Sequence, residues 1–569
     1  MGARLESGRV AWGCFAALAL VSIAVIGVEA RGVQVSGDGW AYWSRLAQDL
    51  PAALFDPPPG AYLIAFPLLA VLAPLGELFG IEEYLPLRLV GIGLVVLAAA
   101  LLFELTRRRA GNLFGLAAGT LMLFLGAAGE VVVTPVRIPG LIATCAGLGM
   151  MLALDREDRR GDGVAAALGV VGIASHPIVL PFLAAAGVRI GFDGGSWLRR
   201  MALVVALPVA LFGLWQVVGY EKPETIFRQT FTGTVEFAGD HLVSLVSTLT
   251  GTFRGPWADG TDFINAVAVA IAIVAAVALV GVCLRRRGLS LGLAAALAAL
   301  IVAAVAPVIG PSGVIFRMPD AGRYIHAGAI IGLWVIAEAI AAGRPWPSWT
   351  RPAATVAVCV WLVGALFSNV AELRDRADEE VRRGDVLRVE LGALELARGV
   401  DGSMAAGLAA REGDQETILP LAFGAGQLGP QGASAIVSGA PTYFDIEAEY
   451  GTPALDADEI PTLPESLRQQ ADLVLGAALP VQASDAGDPP PGECSSIEPG
   501  DIATVAPGGA VVKPGGTADA VLRVGLFADE PSFAVPIDAG GAYVALPDVG
   551  AGLEWKLQAE AVRPVRVCA

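Results

Sequence analysis

Charge is in short supply along this chain. Asp, Glu, Lys and Arg make up 16% of its 569 residues, against about 25% in soluble domains. Histidine numbers three, and no Cys/His group has zinc spacing, which removes a structural zinc site. Positive charge is outweighed, with a formal net charge of −17. Phosphate backbones need clustered Lys and Arg, so nucleic acid is not an expected partner. Beyond residue 371 no apolar run approaches the ~18–20 residues that cross a bilayer, and no internal repeat is visible.

What the chain has instead is apolar length. Hydrophobic residues make up 55% of it and the mean hydropathy is +0.63. Long runs recur near 11–30, 86–106, 112–128, 138–154, 163–176, 177–191, 201–219, 263–284, 289–310, 325–342 and 352–370. The run 11–30 also imitates a signal peptide, with Val-Glu-Ala before Arg31, but its length suits a retained helix better. The run 61–80 is ambiguous, and positive charge decides it, because cytoplasmic loops concentrate Lys and Arg. With 61–80 left out, the clusters at 107–109, 156–160, 199–200, 285–287 and 344–351 all fall on the N-terminal side. The segment 61–80 therefore reads as re-entrant or interfacial, broken by Pro67 and Pro74. The expected fold is a polytopic α-helical membrane protein of about eleven transmembrane helices with a C-terminal extracytoplasmic α+β or β-rich domain. Its parts are a transmembrane domain over 1–370 with an outward loop at 31–60, a mixed region over 371–494 that begins with a charged helical stretch over 371–398, and a small β-rich domain over 495–569. The N-terminus is expected in the cytoplasm of a multi-pass plasma-membrane protein. High Gly and Ala content suits a bacterium of high GC content. Cys14, Cys145, Cys283 and Cys359 lie in apolar runs, where cysteine acts as a small hydrophobe. Cys494 and Cys568 lie in the tail, where a disulfide and two free thiols are the alternatives; an extracytoplasmic tail favours the disulfide.

Ionisable residues at a membrane face are functional candidates by default. Asp38 stands in Ser-Gly-Asp-Gly-Trp-Ala-Tyr-Trp (36–43), between glycines and among Trp40, Tyr42 and Trp43. It reads as a general base, a metal or sugar ligand, or a solvated loop aspartate beside an aromatic belt. Pro-Pro-Pro-Gly-Ala-Tyr-Leu (57–63), Leu-Pro-Leu-Arg-Leu-Val (85–90), Ser-His-Pro (175–177) and Gly-Arg-Tyr (322–324) follow in order. Glu130, in the polar loop 129–137 of that face, reads as an acceptor-binding or a solvated loop residue, and Arg137 falls at an outer helix end. The polar stretch 220–262 reads as an outer loop, with Arg228, Asp240, His241, Arg254 and Trp257 as weaker candidates. Gly424 to Gly429 spells G-x-G-x-x-G without the strand–turn–helix it needs. Asp456 and Asp458 imitate a metal-binding pair in an acidic, Pro-rich stretch.

In the order and spacing of these motifs, residues 10–370 resemble the GT-C superfamily of polytopic glycosyltransferases. The similarity is to its protein-mannosyltransferase and aminoarabinose-transferase-like branch. The resemblance implies an inverting glycosyltransferase that moves a sugar from a polyprenyl-phosphate donor to a cell-envelope glycan, lipid or protein. Asp38 would be the general base. Tyr42, Glu130, Arg137, His176, Arg323 and Tyr324 would bind substrate, with Arg137 and Arg323 facing the donor phosphate. His176 stands where relatives often carry Lys, and it reads equally as a phosphate partner or an interfacial histidine. Arg88 reads first as a helix-end anchor. No cofactor is expected, though a divalent metal held by carboxylates stays open. The competing readings are a non-enzymatic transporter or flippase of lipid-linked sugar, and a degenerate transferase serving as an envelope scaffold.

Overall fold

The computed structural model describes residues 8–31, 33, 78, 85–133, 137–192, 197–218, 231–252, 262–286, 288–309, 319, 321–343, 350–398, 465, 468–469, 472, 481–482, 494–506, 508–515, 520–544, 546, 554–560 and 563–568. The chain divides into two compact units, one mainly 83–381 with the N-terminal helix, the other mainly 382–569.

The first unit is helical. Its elements are α1 (Gly8–Glu29), α2 (Leu85–Ala110), α3 (Asn112–Leu123), α4 (Gly129–Val133), α5 (Ile138–Leu154), α6 (Arg159–Ser175), α7 (Leu180–Gly191), α8 (Trp197–Met201), α9 (Leu207–Val218), α10 (Phe231–Thr250), α11 (Asp262–Arg286), α12 (Leu291–Ile309), α13 (Gly322–Gly343) and α14 (Thr350–Arg398). Helix thus occupies all or most of each of the eleven apolar runs. Among the described residues, six helices are long and apolar enough to cross a membrane, or seven if the bent pair around 112–132 counts as one span. Eleven crossings go beyond that count, because α5, α7 and α12 are shorter apolar helices.

Burial does not follow hydropathy. The window Val267–Leu284 has the highest mean hydropathy, 3.0, and is 6% buried, whereas Gly322–Gly343 has 1.8 and is 72% buried. A water-soluble protein would bury its most apolar helix. A bundle whose outside faces hydrocarbon has no such need, and Val274, Val277, Val360 and Phe367 stand exposed. The helices approach closely through small residues, as in membrane bundles. A Cβ on Gly172 would come within 2.6 Å of Val179, and one on Gly119 within 2.9 Å of Phe15 and 3.0 Å of Phe103. Gly111, at φ 100°, turns the chain from α2 directly into α3.

One element differs from the sequence expectation, and another is longer than expected. Residues 231–250, expected in an outer loop, form a 20-residue helix. Its face of Phe237, His241, Leu245, Thr248 and Leu249 is buried, so intermittent polarity masked a helical period. The crossing 352–370 and the charged stretch after it form one continuous 49-residue helix, about 73 Å long at 1.5 Å per residue. The segment 61–80, apart from Leu78, lies outside the described residues, as do Gly424, Gly429, Asp456 and Asp458.

Among the described residues the second unit carries nine short strands: β1 (Val481–Gln482), β2 (Cys494–Ile497), β3 (Ile502–Val505), β4 (Ala510–Pro514), β5 (Ala520–Gly525), β6 (Phe533–Ile537), β7 (Ala542–Val544), β8 (Trp555–Glu560) and β9 (Val565–Cys568). They pair antiparallel in two sheets, β1-β7-β4-β9-β2 and β3-β8-β5-β6. Alternating residues of both sheets, among them Val512, Val544, Leu522, Leu557 and Trp555, form one core, as in a β-sandwich. Cys494 and Cys568 face each other across β2 and β9 and are disulfide-bonded.

Candidate functional site

Ionic groups in the helical unit gather at two ends. At the end with the Arg-rich loop after α2, Asp155 is a node. It lies 2.6 Å from Arg189 and pairs with Arg109, whose Nε is 3.0 Å from Glu338. Arg107 and Arg108 close on Glu104 at 2.6 and 2.7 Å, and Arg200 on Asp162 at 2.8 Å. Asp155 and Glu338 keep 10% and 7% side-chain exposure. These groups tie α2, α5, α7 and α13 together, a role the sequence showed only as a run of basic loops.

The opposite end holds most of the candidate residues. Arg137 is the N-cap of α5, and Arg323 lies in the first turn of α13. A cation at a helix N-terminus has the wrong sign for the helix dipole, so something else must hold it. That partner is Glu130 on α4, which pairs with Arg137 and lies 3.5 Å from Arg323 Nη1. A third guanidinium, Arg376 on α14, packs its stem on Gly129 and pairs with Glu372 at 3.1 Å. Gly322 lets α13 approach here, since a Cβ on it would lie 3.3 Å from Ala127 O and from Glu130 Cβ. Ile26, Val33, Ile92, Val131, Leu141 and Leu373 form the apolar floor at this end. Glu130, Arg137 and Arg323 keep 26–30% of their side-chain exposure. Arg137 Nε is buried and has no hydrogen-bond partner.

Arg323 also stacks over the Tyr324 ring, 5.0 Å from its centroid, where the ring face attracts a cation. Phe237 meets Tyr324 edge-on at 6.5 Å. Thus Glu130, Arg137, Arg323 and Tyr324 come together. His176 stands apart from that ion pair, in the turn between α6 and α7. Gly149 abuts Leu168 and Gly172 adjoins Ala146, a register that sends the His176 turn toward the same end as Arg137. Its Nδ1 accepts from the Ile178 N–H at 3.1 Å, so the neutral ring carries its proton on Nε2. Arg88 donates to the Val33 carbonyl, fixing the chain where α1 ends. Asp38 and Tyr42 lie outside the described residues, as do Arg228, Arg254 and Trp257. Asp240 is exposed. His241 is buried, its Nδ1 donating to Pro319 O at 2.7 Å.

Beside the ion pairs the bundle is broken. Helices α3 and α4, with the 3-10 turn Gly126–Ala128 between them, bend by 44°. Asn369 of α14 fills the break. Its Nδ2 donates to Thr248 O at 3.1 Å, at the end of α10, and its Oδ1 lies 3.5 Å from Ala127 N. Trp361 Nε1 donates to Leu249 O at 2.6 Å. Carbonyls at a helix end need such donors where no water is present. Sequence reading missed Arg376 and Asn369. The available signal was their seven-residue spacing, with Glu372 between, on one face of a helix.

No group of three His, Cys, Asp or Glu suited to a metal ion occurs among the described residues. The chain matches no family model, no curated protein and no solved structure.

Proposed function

We infer that the chain is a membrane glycosyltransferase of the GT-C kind, taking a sugar from a polyprenyl phosphate and placing it on a cell-envelope acceptor. One observation carries the reading: two helix N-termini, each bearing an arginine, converge on a single partly exposed carboxylate beside a lipid-facing bundle. Helix N-termini attract anions, and arginine forks match phosphate oxygens. Leaving-group phosphate gains negative charge as the sugar departs, and fixed cations stabilise that charge. In this reading Arg137 and Arg323 hold the phosphate, Tyr324 steadies Arg323, and His176 donates from Nε2. Asp38 is the base that takes the acceptor proton, and Tyr42 binds substrate near it. The site then lies on the outer face, with about eleven crossings and the C-terminal tail on that side.

The test uses the purified full chain in lipid with labelled polyprenyl-phosphate sugar and envelope acceptors. Asp38→Asn is expected to abolish transfer, and Arg137→Ala or Arg323→Ala to lower it by about 10²–10³-fold. Transfer untouched by all three changes would sink the assignment. The 44° break favours a second reading, a transporter of lipid-linked sugar, since such proteins bind substrate at broken helices. Lipid movement across the bilayer without transfer would select it.

A further inference from the structure

Glu130 occupies the place an anionic ligand of these arginines would take. Its carboxylate pairs with Arg137 and stands 3.5 Å from Arg323 Nη1, while Arg376 is paired to Glu372. A phosphate entering beside Glu130 would meet like charge, so the two anions exclude one another. These groups keep 26–30% exposure, against 10% for Asp155 at the other end. The carboxylate also leaves a donor unused, the buried Arg137 Nε, which a phosphate with more acceptor oxygens can engage.

We propose that Glu130 is an internal counter-ion that competes with a phosphate-bearing ligand for Arg137 and Arg323, and is displaced when that ligand binds. The proposal rests on the lipid-phosphate reading given above and adds a regulation of the same site. While Glu130 holds the arginines, the competent fraction is small, and apparent affinity falls by that fraction. Weakly held anions are thereby kept out, and a tightly held headgroup enters.

The experiment titrates polyprenyl phosphate, and separately inorganic phosphate at matched ionic strength, into the full chain in phosphatidylcholine nanodiscs. Glu130→Gln keeps the shape and removes the charge, and it is expected to bind polyprenyl phosphate about tenfold tighter than wild type. A parallel gain for inorganic phosphate identifies the phosphate group alone as the competitor; a gain for the lipid only adds the isoprenoid chain to what is recognised. Wild-type binding that Glu130→Gln leaves unchanged or weakens overturns the counter-ion while sparing the site. Failure of wild type and variant to bind either probe removes the lipid-phosphate reading and this proposal together. If Glu130→Gln does not fold, carbodiimide labelling of wild type supplies the readout. Polyprenyl phosphate should raise modification of Glu130 severalfold, and unchanged labelling overturns the proposal.

Discussion

Three backbone N–H groups of the loop after β5 converge on the carboxylate of Asp472, at 2.7 Å from Leu526, 2.7 Å from Phe527 and 3.1 Å from Ala528. Burial pushes this carboxyl up to about 6, against the pull of those N–H groups and of Lys556. Because the folded value lies above the unfolded one, its contribution to stability is full below about pH 4 and is lost as pH rises through about 6. Asp472→Asn replaces an acceptor with a donor facing N–H groups and is expected to cost about 1–3 kcal/mol. Hydrogen exchange of residues 526–528 in the full chain checks it, and the gap between wild type and variant should narrow from pH 4.5 to 6.5. A gap that widens contradicts the assignment. Positions at helix ends, rather than roles, were legible in the sequence. Arg137 and Arg323 stood out as cations at helix starts, and Glu130 as an acid nearby. The approach of Arg323 to Glu130 was not legible, because it joins segments nearly two hundred residues apart.

Helix α5 shows what the glycine-rich composition does. A Cβ on Gly147 would overlap the ring of Phe182, which is fully buried, whereas one on Gly140 of the same helix meets nothing within 4 Å. Gly147→Ala is therefore expected to cost about 1–3 kcal/mol by overpacking, and Gly140→Ala to be neutral or stabilising by about 0.5–1 kcal/mol. Thermal denaturation of the detergent-solubilised chain distinguishes them; equal midpoints would refute the packing argument. Hydropathy located the helices of the runs well, since apolar length is what it measures. The charged stretch 371–398 is helical as its residues suggest, with good helix formers such as Glu372, Leu373, Arg374 and Arg376, but hydropathy did not show that it continues the crossing as one helix. It lost α10 outright. Glu236 and Asp240 on the exposed side diluted an apolar period that Phe237, His241 and Leu245 still mark.

At the scale of the molecule, the Cys494–Cys568 bond closes a separation of 74 residues, a loop whose constraint on the unfolded chain is worth about 4 kcal/mol. Such bonds persist outside reducing compartments. In growing cells, maleimide labelling of denatured protein should miss both cysteines until a reductant is added; labelling without reductant would contradict an outward tail. The break beside the ion pairs has a further consequence. One amide, Asn369, holds both the end of α10 and the turn that follows α3, so loosening either end weakens the hold on the other, and such linkage is reciprocal. Asn369→Leu should speed hydrogen exchange at 124–130 and 247–252 together, and a response confined to one stretch would show them independent. A displacement at Glu130, three residues past Ala127, would then be felt at the buried end of α10. A side chain shared by two helix ends would carry a local exchange of ions from one of them to the other.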